Sequence, residues 1–200
     1  MASLIPKISI PQVKLEGDLQ SQIELASANG VPVRIIGGNS KAFYGHAVDA
    51  SDIDVSGHSG IVDYDPAELV ITLRSGCKLK EVELLLAEKG QMLGFEPPYF
   101  GDEATIGGMV ASGLTGPRRA FSGAIRDFIL GVKLLNGRGE IVNFGGRVIK
   151  NVAGFDVSRL MVGALGTLGI LLEVSIRVIP IYEAETTLMF EHADAQAHID

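Results

Sequence analysis

The chain has 200 residues, 46% of them hydrophobic and 20% charged, which excludes a disordered protein and gives enough length to bury a core. Seventeen basic residues against 24 acidic ones leave a net charge of −7, with no basic patch beyond Arg118-Arg119, so a nucleic-acid backbone is excluded as a natural partner. Cys77 is the one cysteine, which excludes an internal disulfide and any cysteine-held metal or iron–sulfur cluster within this chain, and no metal site is expected.

The first seventeen residues are broken by prolines and lysines and hold no continuous apolar stretch of the secretory kind. Asp18–Ala28 reads as a helix with Leu19, Ile23 and Ala26 on one face and Asn29-Gly30 as its left-handed stop. Pro32 then opens a strand over 33–36, followed at once by Gly37-Gly38-Asn39-Ser40. A strand running into a Gly-Gly turn is the arrangement that points backbone N–H groups at a phosphate, though the same residues also make an ordinary turn. Strands are expected over 52–56, 60–64 and 69–74, and a helix over 79–89, with Leu79, Val82 and Leu86 inward and Gly90 at its end. Cys77, in the turn before that helix, reads as packing, since nothing basic lies beside it to activate it.

Gly101–Gly116, GDEATIGGMVASGLTG, holds five glycines and is apolar between them, whereas glycine-rich surface loops are usually polar. It reads as a buried seat for something large and flat or for an anion. Strands over 128–135 and 140–144 flank Asn136-Gly137-Arg138-Gly139 as a hairpin, and Asp156 caps a short helix ending at Met161. Gly163, Gly166 and Gly169 lead into a strand over 170–179 stopped by Pro180, where a dinucleotide fingerprint would demand a helix, and no Walker A lysine motif is present. The apolar run Met161–Leu172 is cut by three glycines and falls short of the ~18 residues of a spanning helix, so a soluble, cytoplasmic protein is expected. Thr186–Phe190 reads as one more strand, and the polar stretch from Glu191 as the beginning of a further domain in which the chain stops. The three glycine-rich segments make joint sense if they converge on one long ligand with a pyrophosphate in its middle, although each alone is compatible with a structural turn.

Arg34-Ile35-Ile36-Gly37-Gly38-Asn39-Ser40, Thr105-Ile106-Gly107-Gly108-Met109-Val110-Ala111 and Gly163-Ala164-Leu165-Gly166-Thr167-Leu168-Gly169-Ile170 resemble, in order and spacing, the flavin-binding motifs of the vanillyl-alcohol oxidase superfamily, the PCMH-type FAD domain. Glu96-Pro97-Pro98, Gly116-Pro117-Arg118-Arg119, Arg126-Asp127 and Lys150–Asp156 are similar to the branch whose FAD-binding subunits serve the oxidation of small 2-hydroxy acids such as glycolate. The resemblance implies an α+β, PCMH-type FAD-binding fold of two α/β lobes, residues 1–76 and 77–182, with the cofactor groove between them and a truncated C-terminal cap domain starting at 183–200.

It also implies a cofactor set. Gly37, Gly38, Asn39, Ser40 and Lys41 would hold the pyrophosphate, with Thr105, Gly107 and Gly108 completing the cradle. Pro98, Ala111, Ser112, Gly113 and Gly116 would approach the ribityl chain and ring, and Gly169, Ile170 and Val174 the adenosine end. Asn39 stands where covalently flavinylated members carry histidine, so non-covalent FAD is implied, with His46 a less apt attachment point.

The implied activity is an FAD-dependent oxidoreductase acting on the CH–OH of 2-hydroxy acids within a complex. A homologous larger FAD subunit and an iron–sulfur subunit are the implied partners, any membrane association passing through them. Arg118 and Arg119 are the catalytic candidates, as a clamp for a substrate carboxylate; the competing reading is a pair of solvated or subunit-facing charges. A non-catalytic FAD-bearing relay or assembly module, and a seat for some other phosphate ligand, stay open beside the enzyme reading.

Overall fold

A computed structural model describes residues 12–146 and 154–189. The Lys150–Ala153 portion of one motif, Phe190, the polar stretch from Glu191 and His192 and His198 lie outside these described residues.

The fold is α+β, and a five-stranded sheet is its centre. Strands β3 (Ile61–Asp65) and β4 (Val70–Arg74) pair antiparallel, β4 pairs with β8 (Ile170–Arg177), and β8 pairs with β6 (Ile129–Leu135), which forms the expected hairpin with β7 (Ile141–Gly145). β8 is buried along nearly its whole length because it lies in mid-sheet with a core on either side. Leu171, Val174 and Ile176 face the larger core, where α2 (Leu79–Glu88) and α3 (Ile106–Ser112) pack, whereas Ile170 and Leu172 face a smaller one built by α1 (Gln12–Asn29) and the parallel pair β1 (Val33–Ile36) and β2 (Ser51–Asp54). Strict alternation cannot place 171, 174 and 176 on one side and 170 and 172 on the other; the pairing of β8 with β6 shifts register at Lys133/Leu134, which lets one strand serve both cores.

Several expectations change in the structure. The first helix begins at Gln12 rather than Asp18, and Glu16 in its opening turns accepts from Lys133 of β6 at 2.8 Å. β1 and β2 pair in parallel through the loop of residues 37–50, whereas β3 and β4 join the antiparallel sheet, so that sheet runs across the division expected after residue 76. The strand expected over 170–179 breaks at Val178, and Ile179–Pro180 (β9) turns away to pair with Gln91–Met92 (β5). Residues 186–189 form no strand: Leu188 and Met189 are exposed, and among the described residues no strand pairs with them.

Glu83 is partly buried on α2, and desolvation pushes its carboxyl up to about 7 from an ordinary value of 4.5. A folded-state pKa above the unfolded one means that stability is fully present below pH ~4.5 and is lost as pH rises toward 7. Glu83→Gln is therefore expected to be the more stable form at pH 8 by about 1 kcal/mol, after discounting for partial exposure, and to match the wild type at pH 4. Urea unfolding at the two pH values checks this; an unchanged pH dependence in the variant would remove the assigned role of Glu83.

Candidate functional site

A cleft of about 670 Å³ opens between β1 and its following loop on one side and α3 and the start of β8 on the other. All three glycine-rich segments reach it: residues 37–41 from the first, Thr105, Gly107, Gly108, Ala111 and Ser112 from the second, and residues 165–167 and Gly169 from the third.

The walls are held together by close backbone packing. A Cβ at Gly37 would stand 2.7 Å from the Thr105 hydroxyl, and one at Gly38 would overlap the carbonyl oxygen of Glu103. Glycine at both positions is what lets the first loop lie directly on the segment that starts α3. Gly107 does the same a layer below, since a Cβ there would stand 2.7 Å from that of Ser75 at the end of β4. Asn39 takes a left-handed φ of 53°, a turn that swings successive N–H groups toward one side. Among the described residues, none of the main-chain N–H groups of Gly38, Asn39, Ser40 and Lys41 finds an acceptor.

The N-terminus of α3 is different. Ile106 N–H donates to the carbonyl of Cys77 at 2.9 Å, Gly107 N–H to that of Ser75 at 2.7 Å, and Gly108 N–H to the hydroxyl of its N-cap Thr105 at 3.2 Å. Those donors are spent on the fold, so Thr105, Gly107 and Gly108 shape a wall of the cleft and the expected contribution of the helix end to an anion cradle falls away. Replacing Thr105 by Ala is expected to remove the cap and lower stability by about 1 kcal/mol, measured as a shift in the unfolding midpoint; no shift would mean the cap is idle.

The electrostatics of the cleft run against those of the chain. No Asp or Glu lines it among the described residues, although the chain carries 24 of them. Arg34 lines it with its charge already matched, its guanidinium donating to both carboxylate oxygens of Asp52 at 2.7 and 2.9 Å. Lys41 lines it partly buried, and burial lowers the pKa of its ammonium. His46 and Tyr44 also line it. Cys77 is buried beneath and its thiol is pushed up by that burial, which fits packing rather than reactivity.

Pro98, Gly113, Gly116, Ile170 and Val174, expected near a cofactor, do not line the cleft. Gly113 is the left-handed C-cap of α3, φ 65°, against the backbone of Gly163. Gly116 presses on Glu96, whose carbonyl oxygen a Cβ would meet at 2.6 Å. Ile170 and Val174 are fully buried in the two cores. The glycines thus serve two tasks that one letter in the sequence cannot separate.

Arg118 and Arg119 are off the cleft as well. Arg118 donates from its backbone N–H and its Nε to the two carboxylate oxygens of Glu96 at 2.9 and 3.0 Å, and from Nη2 to Glu185 at 2.9 Å, with its guanidinium 5.1 Å from the centre of the Tyr182 ring. These partners raise its pKa further, Glu185 foremost. Arg118 therefore ties the segment after β9 to the loop at Glu96, and Arg119 is an exposed residue opening the short helix α4 (Arg119–Ser122). Arg118→Ala is expected to change stability by no more than about 1 kcal/mol and leave ligand affinity in the cleft unchanged, as titration would show; a large loss of affinity would return Arg118 to the site.

Tyr44, Ser75 and Leu165 line the cleft without having been expected there from the residues alone. The usable signal was Leu165, a left-handed non-glycine residue at φ 51° inside the third glycine segment, but backbone angles are not readable from residue identity.

The profile of the FAD binding domain family matches residues 10–145. The chain is 52% identical over 173 residues to glycolate oxidase subunit GlcE of Escherichia coli K12, covering 86% of this chain and 49% of that one. It is 33% identical over 140 residues to glycolate oxidase subunit GlcD of Bacillus subtilis 168, covering 68% and 29%. Among solved structures, alkyldihydroxyacetonephosphate synthase superposes with a TM-score of 0.66 at 22% identity, over 84% of this chain and 31% of that one, a likeness of fold. The chain spans about half the length of the first of these relatives and less than a third of the second. No helix among the described residues is long and apolar enough to cross a membrane.

Proposed function

The chain belongs to the FAD binding domain family, and on that premise we propose that FAD lies non-covalently in the cleft, its diphosphate on the loop of residues 37–41. The observation that carries this is the inverted charge of the cleft: among the described residues of an acidic protein no carboxylate lines this surface, and four adjacent N–H groups of one loop have no acceptor. Unsatisfied main-chain donors are costly unless water or a ligand accepts from them, and an anion accepts best. The volume falls within the range of about 300–1,000 Å³ usual for cofactor sites, and the lining is mostly glycine, small and aliphatic side chains, which suits a flat ring system.

The likeness to glycolate oxidase subunits supports a 2-hydroxy acid as electron donor for the whole protein and a place within a multi-subunit oxidase, a larger flavin subunit and an iron–sulfur subunit being the finer form of that proposal. Bound flavin would supply the hydride acceptor. The chain's own residues bind and orient: the 37–41 loop takes the diphosphate, Ala111, Leu165 and Met161 shield the groove from water, and α3 fixes the spacing of the walls. The second reading, an FAD-bearing relay or assembly module, is favoured by one specific observation: neither arginine candidate reaches the cleft, and no carboxylate there is placed to take a hydroxyl proton among the described residues.

Purification tests both readings at once. A yellow protein that releases FAD on denaturation is the expected result, and a colourless protein that refuses added FAD overturns the assignment. Anaerobic mixing of the whole protein with glycolate then separates them, bleaching of the flavin band supporting oxidation at this site and persistent colour supporting the relay.

A further inference from the structure

Away from the cleft, a buried histidine meets the N-terminal helix. His58 follows β2 and is 1% exposed, with its Nε2 3.8 Å from a carboxylate oxygen of Glu16 in α1. At that distance no hydrogen bond forms, and among the described residues Nε2 has no other partner. The backbone fixes the ring there: His58 N–H donates to the Val55 carbonyl at 3.0 Å, and its own carbonyl accepts from Gly76 N–H at 2.8 Å.

Four charges face the ring from four elements. Glu16 of α1 accepts from Lys133 of β6 through both carboxylate oxygens, at 2.9 and 2.8 Å, and Lys133 also reaches Glu173 of β8 at 3.5 Å. Arg74, at the end of β4, is the fourth. Burial, foremost, holds the imidazole pKa below its ordinary value of 6.5; Arg74 and Lys133 act in the same direction, Glu16 and Glu173 against it. With the ring neutral these four charges sum to zero, whereas a proton on it adds a positive charge that water does not reach. Glu16 cannot neutralise that charge without being drawn from Lys133.

What the cluster holds is α1. Glu16, Leu19 and Ile23 share one face of the helix, and among its described side chains only Leu19 and Ile23 are buried. Two apolar residues are a thin anchor for a helix of 18 residues, so docking depends on Glu16 as well. The core they enter also holds Val33 and Ile35 of β1, the strand that opens into the 37–41 loop.

We propose that His58 is a buried proton sensor that latches α1: the helix stays docked while the ring is neutral and is released when the ring takes up a proton. The ring is bonded through its backbone on both sides and stays in place, so lifting the helix is the route by which its charge meets water. Above pH 6.5 the ring is neutral whether α1 is docked or not, and the latch holds fully. As pH falls below 6.5 the undocked form takes up the proton first, and docking weakens by up to about tenfold per pH unit until the docked ring titrates as well.

Hydrogen exchange of the α1 amides, expressed as protection over the intrinsic rate at each pH, reads docking directly. Between about pH 7.5 and 5.5 that protection is expected to fall about tenfold in the wild type and to stay level in His58→Gln. Glu83 titrates in part of this range with the opposite sign, but it is common to both proteins and cancels in the comparison. An NMR titration of the wild-type imidazole needs no variant, and the expected midpoint for His58 lies below 6.5, with the α1 resonances shifting alongside it. Equal α1 protection at the two pH values in the wild type would overturn the proposal. So would a fall of the same size in His58→Gln, or a His58 midpoint at or above 6.5.

Discussion

Gly38→Ala is expected to lower FAD affinity at least about a hundredfold while the protein still folds. The added methyl would occupy the place of the Glu103 carbonyl oxygen, which is main chain and cannot rotate aside. Either the 37–41 loop lifts from the segment before α3 or that segment retreats, and both movements open the contact that sets the two walls of the cleft. The loop lies at the surface after β1, with Asn39 exposed, so the displacement is local and unfolding is expected to shift by only about 1–2 kcal/mol. Flavin fluorescence titration together with thermal unfolding measures the two effects separately. Affinity within threefold of wild type would show that the loop binds nothing that needs its present position, and the assignment of the diphosphate would fail with it.

Phe128→Ala is expected to do the reverse. Its ring is 1% exposed in the larger core, tilted against Phe95 at 5.2 Å, and the Arg177 guanidinium lies 4.8 Å from its centre. Gly94 has no side chain because a Cβ there would stand 2.9 Å from that ring. Truncation leaves a cavity that backbone on several sides prevents from collapsing, and it strips the ring from beneath a partly buried guanidinium. A loss of about 3–5 kcal/mol is expected, enough to leave a domain of ordinary stability near its folding threshold. Because Phe128 does not line the cleft, the molecules that remain folded should bind FAD with near wild-type affinity. Urea unfolding and a titration below the transition check the pair of statements; a loss below 1 kcal/mol would mean that the core repacks around the gap.

The contrast bears on what could be read in advance. Helix α2 was legible because Leu79, Val82 and Leu86 recur at helical spacing and all three are buried, and the β6–β7 hairpin because Asn136-Gly137-Arg138-Gly139 interrupts two apolar runs. The glycine segments were legible as a set, and they do line one cleft. Their individual tasks were not: Gly38 and Gly107 are glycines because another backbone or Cβ lies against them at the cleft, whereas off the cleft Gly113 is a left-handed helix cap and Gly116 lies against the backbone of Glu96. Arg118 looked like a ligand clamp only because its partners, Glu96 and Glu185, are 22 and 67 residues away.

Local order along this chain was determined by its sequence, through side-chain periodicity, capping residues and the compatibility of glycine with tight turns, together with the motifs that mark a flavin-binding family. The tertiary structure alone decided which strands share a sheet and which amide donors and charges among the described residues meet a partner. Those outcomes depend on pairings between distant segments: β3 and β4 with β8, the loop at Gly38 with Glu103, and Glu16 with Lys133. A hydrogen bond or an ion pair is satisfied by whatever arrives in space, and arrival is a property of the whole fold.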